Sequence, residues 1–125
     1  MNQFDHEKLD VYHASLEFVA LSSAILEKLP KGVAVINQLD RAATAIPLNI
    51  AEGSGKFTAP DRCRFFDIAR GSALESAACL DVLVVKKLVT TEEIAAGKAM
   101  LVRIVSMLVG LIKSVAPNRV YEDQT

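Results

Sequence analysis

A chain of 125 residues can enclose one hydrophobic core but not two, which predicts a single domain over residues 1–125. Half of it is apolar (51%), 23% is charged and the formal net charge is -1, values that exclude a disordered or collagen-like chain and leave a soluble globular one. Such a chain cannot coat nucleic acid through bulk charge, so any phosphate contact has to come from a local patch.

Near the start, Asp5, Glu7 and Lys8 occupy the place where a signal peptide would need a basic start and an apolar run, and the chain is expected in the cytoplasm. From Leu9 the apolar positions run Leu9, Tyr12, Leu16, Val19, then Ser23 and Leu26, a three-four spacing that predicts a first helix over about 8–29. A second set, Val11, Phe18 and Ile25, repeats on an adjacent face and predicts two partners for this helix. Pro30, Lys31 and Gly32 predict a turn, since Pro cannot continue a helix and Gly accepts the left-handed conformation at its end.

Ile36, Leu39, Ala43, Ile46 and Ile50 predict a second helix over about 33–55, stopped by Gly53 and Gly55. Pro47 lies inside it and predicts a kink between Ala43 and Pro47, or a break into two helices. Thr58, Pro60 and Asp61 read as a capped start for a third helix over about 59–87, with the stripe Phe66, Ala69, Ala73, Ala77, Leu80 and Val84 and the cations Lys86 and Lys87 at its end. Its small residues, Gly71, Ser72, Ala73, Ser76, Ala77 and Ala78, predict close approach to another helix. Thr90 and Glu93 have capping-box spacing and open a fourth helix over about 92–115, with Ile94, Leu101, Ile104, Val105, Leu108, Leu111 and Ile112 on one face and Ala95, Ala99, Val102 and Val109 on another. Its uncharged apolar run, residues 104–112, is bracketed by Arg103 and Lys113 and falls short of the roughly 20 residues of a membrane span, so no membrane association is expected.

Four amphipathic helices with short connections predict an all-α, antiparallel up-down-up-down bundle. The apolar faces are wider than such a core requires. This leaves two readings open, self-association or a fatter monomer core.

Chemical motifs are scarce. Gly53-Ser54-Gly55-Lys56-Phe57-Thr58 imitates a phosphate-binding loop, but Phe57 separates the Lys from the Thr, Ile50 stands where the first Gly belongs, and a helix precedes it instead of a strand; it reads as a helix stop and a capped restart. Cys63 and Cys79 belong to no CxxC pair and read as buried thiols, and His6 and His13 make at most a partial ligand pair, so neither a metal nor another cofactor is expected. Glu52 and Glu75 have no recognisable partner base and are expected to bond a neighbouring helix end. No catalytic motif organises the Ser, His and acidic residues, and no enzyme activity is expected. Charge is uneven: residues 1–30 carry two positive and five negative groups, whereas residues 31–90 carry eight positive and six negative. Arg41, Lys56, Arg62, Arg64 and Arg70 are assigned to the neighbourhood of the turn between helices two and three as a candidate surface for an RNA or DNA backbone, against the plainer reading of a solvated face balanced by Asp61 and Asp67.

The stretch Gln38-Leu39-Asp40-Arg41-Ala42-Ala43-Thr44-Ala45-Ile46-Pro47-Leu48-Asn49-Ile50-Ala51-Glu52-Gly53, followed by Phe65 to Ala69, Gly71-Ser72 and Glu75, resembles the four-helix-bundle family of 23S rRNA intervening-sequence proteins. Leu9-Asp10-Val11-Tyr12 and Leu29-Pro30 also fit its pattern, and the resemblance covers residues 9–112. It implies an antiparallel four-helix bundle, assembly into a ring-like homopentamer, and no enzymatic activity. Some members are encoded within insertions in 23S rRNA genes, and the accessory variability determinant proteins of diversity-generating retroelements are similar in fold and bind nucleic acid. Those relatives are strongly basic, whereas this chain is not, and it carries Lys56 and His13 where the family favours Arg and a basic residue. The signature residues Arg41, Pro47, Asn49, Glu52, Gly53, Gly71, Ser72 and Glu75 read as structural: Asn49 and Glu52 share a helical face from which they can bridge to Arg41 or to the start of helix three. The expectation is a non-enzymatic, homopentameric bundle that binds RNA or DNA weakly or associates with the ribosome. The alternative is a protein–protein interaction scaffold without nucleic-acid binding.

Overall fold

The structure, a computed structural model, describes residues 3–119. A short 3-10 turn, Asp5–Lys8, leads into α1 (Asp10–Glu27), α2 (Ala34–Ser54), α3 (Ala59–Val85) and α4 (Thr91–Val115). No strand occurs among the described residues. Local chemistry explains most of the boundaries. Gly32 takes φ 90 in the turn that separates α1 from α2. The Thr58 hydroxyl accepts the Asp61 N–H at 3.3 Å and opens α3, with Pro60 in its first turn. A full capping box opens α4: the Glu93 N–H donates to Thr90 Oγ1 at 3.1 Å, and the Thr90 N–H donates to Glu93 Oε1 at 3.0 Å.

The end of α3 is built differently from its reading as a simple cationic terminus. Lys87 adopts a left-handed φ of 62, its N–H reaches Val84 O at 2.9 Å, and the Leu88 N–H reaches Leu83 O at 3.0 Å. This paired closure satisfies the last carbonyls of the helix, in a position that glycine usually fills.

All four helices contribute to one core, centred on Phe18, Leu39, Ile46, Ile50, Leu80, Leu83, Leu101, Ile104 and Leu108. Cys63, Phe66 and Ile112 form a smaller cluster at the α3 start and α4 end, and Cys63 and Cys79 are both buried free thiols. The core hydroxyls of Ser15, Ser22, Ser54 and Ser76 each donate to a carbonyl three or four residues back in their own helix, so their burial leaves no donor unpaired.

Three expectations are corrected. On α1 the buried residues are Val11, Ala14, Ser15, Phe18 and Ser22. The set Leu9, Tyr12, Leu16 and Val19 lies on the flank, half-buried except for Leu16, which is 41% exposed. Both sets have helical spacing, and contacts with α2 and α4 decide between them. Second, α2 runs unbroken through a buried Pro47, so the break into two helices does not form. Third, close helix contact is made at Gly53 and Gly97 and not at Gly71. A Cβ on Gly53 would meet the Phe66 ring at 2.7 Å, and one on Gly97 would meet Leu21 at 3.1 Å and Leu80 at 3.3 Å; at the exposed Gly71 it would meet nothing within 4 Å. Ala69, Ala73 and Ser76 are the small residues of α3 that are fully buried, and Ala77 packs against the same core.

Candidate nucleic-acid interface

The turn between α2 and α3 is made by backbone closure followed by a restart. The Gly55 N–H donates to Ala51 O and Glu52 O, the Lys56 N–H donates to Gly53 O at 3.2 Å, and Thr58 then caps α3. The turn closes through these bonds without a phosphate; the Phe66 ring against Gly53 accounts for that glycine, whereas Gly55 takes an ordinary right-handed φ of -88. The turn also projects Phe57 fully into solvent, at 102% relative exposure, while Phe65 lies half-buried in the second turn of α3.

Cations gather around the rings of Phe65 and Phe66. Lys56 Nζ lies 5.1 Å from the Phe65 ring centroid, Arg64 Cζ lies 4.8 Å from the same centroid, and Arg62 Cζ lies 5.9 Å from that of Phe66. Contacts of this kind are worth about 0.5–1 kcal/mol at an exposed site, enough to hold the side chains in place without neutralising them. Lys56 also approaches Glu52 at 3.8 Å. Arg62 and Arg64 make no ion pair among the described residues. Asp67, expected to balance this face, is engaged instead by Arg119 at 2.7 Å.

The five cations assigned to the turn do not all meet there. Lys56, Arg62 and Arg64 do. Arg41 stands fourteen residues before Gly55 on α2 and Arg70 twelve residues after Thr58 on α3, which at 1.5 Å per residue places each roughly 20 Å along its helix from the turn. Arg41 is exposed, and half-buried Arg70 keeps its Nε out of solvent without a hydrogen-bond partner among the described residues. The aromatic residues are what the reading of charge alone missed. Their signal lies in the sequence, as Lys56-Phe57 followed by Arg62, Arg64 and Phe65-Phe66.

The other signature residues serve packing in ways the spacing did not specify. Asn49 Nδ2 donates to Ala45 O at 2.8 Å within its own helix, and Glu52 pairs with Lys56, so neither bridges to Arg41 or to the α3 start. Asn49 is half-buried, and its nearest carbonyl satisfies the amide more cheaply than a distant guanidinium would. Glu75 accepts from Gln38, a side chain on α2 and not a helix end. Half-buried Ser72 offers its carbonyl to the Ser76 hydroxyl at 2.8 Å, Pro47 is buried, and Gly53 seats the Phe66 ring. His13 Nε2 lies 2.7 Å from Glu7 O, and the His6 ring meets Tyr12 edge-on at 4.7 Å, so the two histidines fasten the N-terminal turn to α1. Among the described residues no three His, Cys, Asp or Glu side chains gather as a metal site would require.

Burial and the nearby Glu75 carboxylate push the Cys79 thiol above its ordinary pKa of 9.0. Such a thiol stays protonated and unreactive.

A basic, aromatic turn at one end of four helices with a common core defines a helical-bundle protein whose most distinctive surface is that turn. The sequence profile of the 23S rRNA-intervening sequence protein family matches residues 7–110, and the chain belongs to that family. Among solved structures it is similar to a protein of unknown function of the S23 ribosomal protein family from Bacteroides thetaiotaomicron, at 24% identity and a TM-score of 0.77, with 82% of this chain and 98% of that one covered. At that identity the likeness speaks for the fold. No curated protein matches the chain significantly.

Proposed function

We propose that the protein is a non-enzymatic, self-associating bundle that presents its α2–α3 turn to the backbone of RNA or DNA in the cytoplasm. The observation that carries the nucleic-acid reading is the gathering of Lys56 and Arg64 around Phe65 and of Arg62 over Phe66, with two of the three guanidinium or ammonium groups free of ion pairs among the described residues. Family membership supports it, because the family takes its name from sequences intervening in 23S rRNA.

Self-association rests on a different feature. By length and composition α4 is apolar enough to cross a membrane, yet only 28% of its most apolar stretch is buried within the chain. Its outer face exposes Ala95, Ala99 and Val102, and neighbouring α3 exposes Ile68, Val82 and Val85. Copies packed through these faces in a homopentamer would cover them and keep α4 out of the membrane, and a ring would repeat the basic turn five times, turning a modest patch into a multivalent one. The contacts Gln38–Glu75, Gly53–Phe66 and Asp81–Lys98 support an antiparallel up-down-up-down order, with the missing Pro47 donor bending α2.

The test is binding of 23S rRNA fragments and of DNA at low and moderate salt, with wild type and with R62E/R64E. The proposal expects salt-sensitive binding that charge reversal abolishes. Binding that ignores the reversal removes the α2–α3 turn as the site, and no binding even at low salt removes the nucleic-acid reading and leaves a scaffold for protein partners.

A further inference from the structure

Charge explains why an anion would approach the α2–α3 turn; it does not explain Phe57. A large apolar side chain in full contact with water gains nothing from folding, and this one follows Lys56 directly in the turn that leads to Arg62 and Arg64 in the first two turns of α3. The neighbouring ring is already occupied, since Phe65 has Lys56 and Arg64 within about 5 Å of its centroid. Phe57 therefore remains the aromatic surface open to a ligand. We infer that the turn takes single-stranded nucleic acid, an unpaired base stacking on Phe57 while Lys56, Arg62 and Arg64 meet the flanking phosphates.

This inference rests on the nucleic-acid reading of the turn and narrows it. A duplex offers phosphates and groove edges but keeps its base faces stacked, so it would satisfy the cations and leave Phe57 in water. An unpaired segment offers both a π-face and phosphates, and stacking on an exposed aromatic is indifferent to which base it is. The cations are pre-positioned by the Phe65 and Phe66 rings, which lowers the ordering cost of holding flexible side chains against a backbone.

The experiment compares a labelled, unstructured oligonucleotide with a duplex of the same length, at low salt, against the full chain and its F57A, F57W and R62E/R64E variants. Phe57 touches no core residue that would unfold with it, and circular dichroism verifies the fold of each variant. The expected result is that F57A weakens single-strand binding about 5- to 150-fold, the span of one lost stack, while duplex binding is unchanged and F57W retains wild-type affinity. R62E/R64E weakens both. If F57A binds both forms like wild type while R62E/R64E binds neither, the stacking inference is overturned and the charge reading stands. If R62E/R64E also binds like wild type, the charge reading has failed too. Capture of phosphatidylserine-containing vesicles through Phe57, with no oligonucleotide bound, would overturn the inference in favour of a lipid surface.

Discussion

The backbone of Gly53 sits directly against the ring of Phe66: a Cβ built on the glycine would fall 2.7 Å from Phe66 Cε1 and 3.0 Å from the Arg62 carbonyl oxygen. Phe66 is fully buried and the carbonyl belongs to the α3 backbone, so neither can move aside freely. G53A is expected to cost about 1–3 kcal/mol, the range for overpacking a well-filled core. Gly71 gives the opposite sign, because it is helical, exposed and has open space around it. G71A is expected to stabilise by about 0.5–1 kcal/mol through helix propensity alone. Urea unfolding of the two variants checks both, and a destabilised G71A would place Gly71 at a contact with another copy.

Both glycines belong to the family signature, and the sequence alone marks them equally. What separates them is which residue of α3 faces which residue of α2, a matter of register that no local pattern encodes. Where the determinants are local, the sequence was legible: Thr58 caps α3, Thr90 and Glu93 box the start of α4, and Gly32 turns the chain. On α1 two apolar sets had equal claims, and the side taken by α2 and α4 chose Val11 and Phe18. The site followed the same division. Its cations could be found by counting charge and its aromatic residues stand in the same stretch of sequence, whereas which ring each cation covers, and the separation of Arg41 and Arg70 from the turn, required the fold.

Lys87 holds a left-handed backbone at the end of α3, a conformation that costs an L-residue roughly 1–2 kcal/mol and glycine much less. Glycine also loses more freedom on folding, so K87G is expected to raise stability by only about 0.5–1 kcal/mol. K87V, β-branched at the same position, should lower it. Thermal melts of the pair decide whether the paired closure at Leu83 and Val84 limits the stability of this end of the bundle.

Cys79 predicts an alkaline limb in the stability curve. Its folded pKa is raised by burial and by Glu75, so above pH 9.0 the unfolded chain releases a proton that the folded chain retains. The stability from keeping the thiol neutral is complete below pH 9.0 and is lost as pH rises through the folded value. C79A should flatten that limb in urea titrations between pH 8 and 11, whatever it costs in packing at neutral pH. An unchanged slope would assign the alkaline loss to other groups.

The outer face of α4 offers the sharpest test of assembly. Val102 is 70% exposed in the single chain, and at such a site glutamate should leave the fold intact. In a self-associated state the same carboxylate would be buried against another copy without a partner. V102E is expected to keep its helical circular dichroism while dissociating.

Mass by light scattering, for wild type and V102E at low and moderate salt, therefore bears most directly on the central claim. The account predicts a wild-type mass near five times 13.5 kDa that persists in moderate salt, and a smaller species for V102E. A wild-type protein that stays at 13.5 kDa at every concentration and salt would contradict it, leaving the apolar face of α4 without a second copy to cover it.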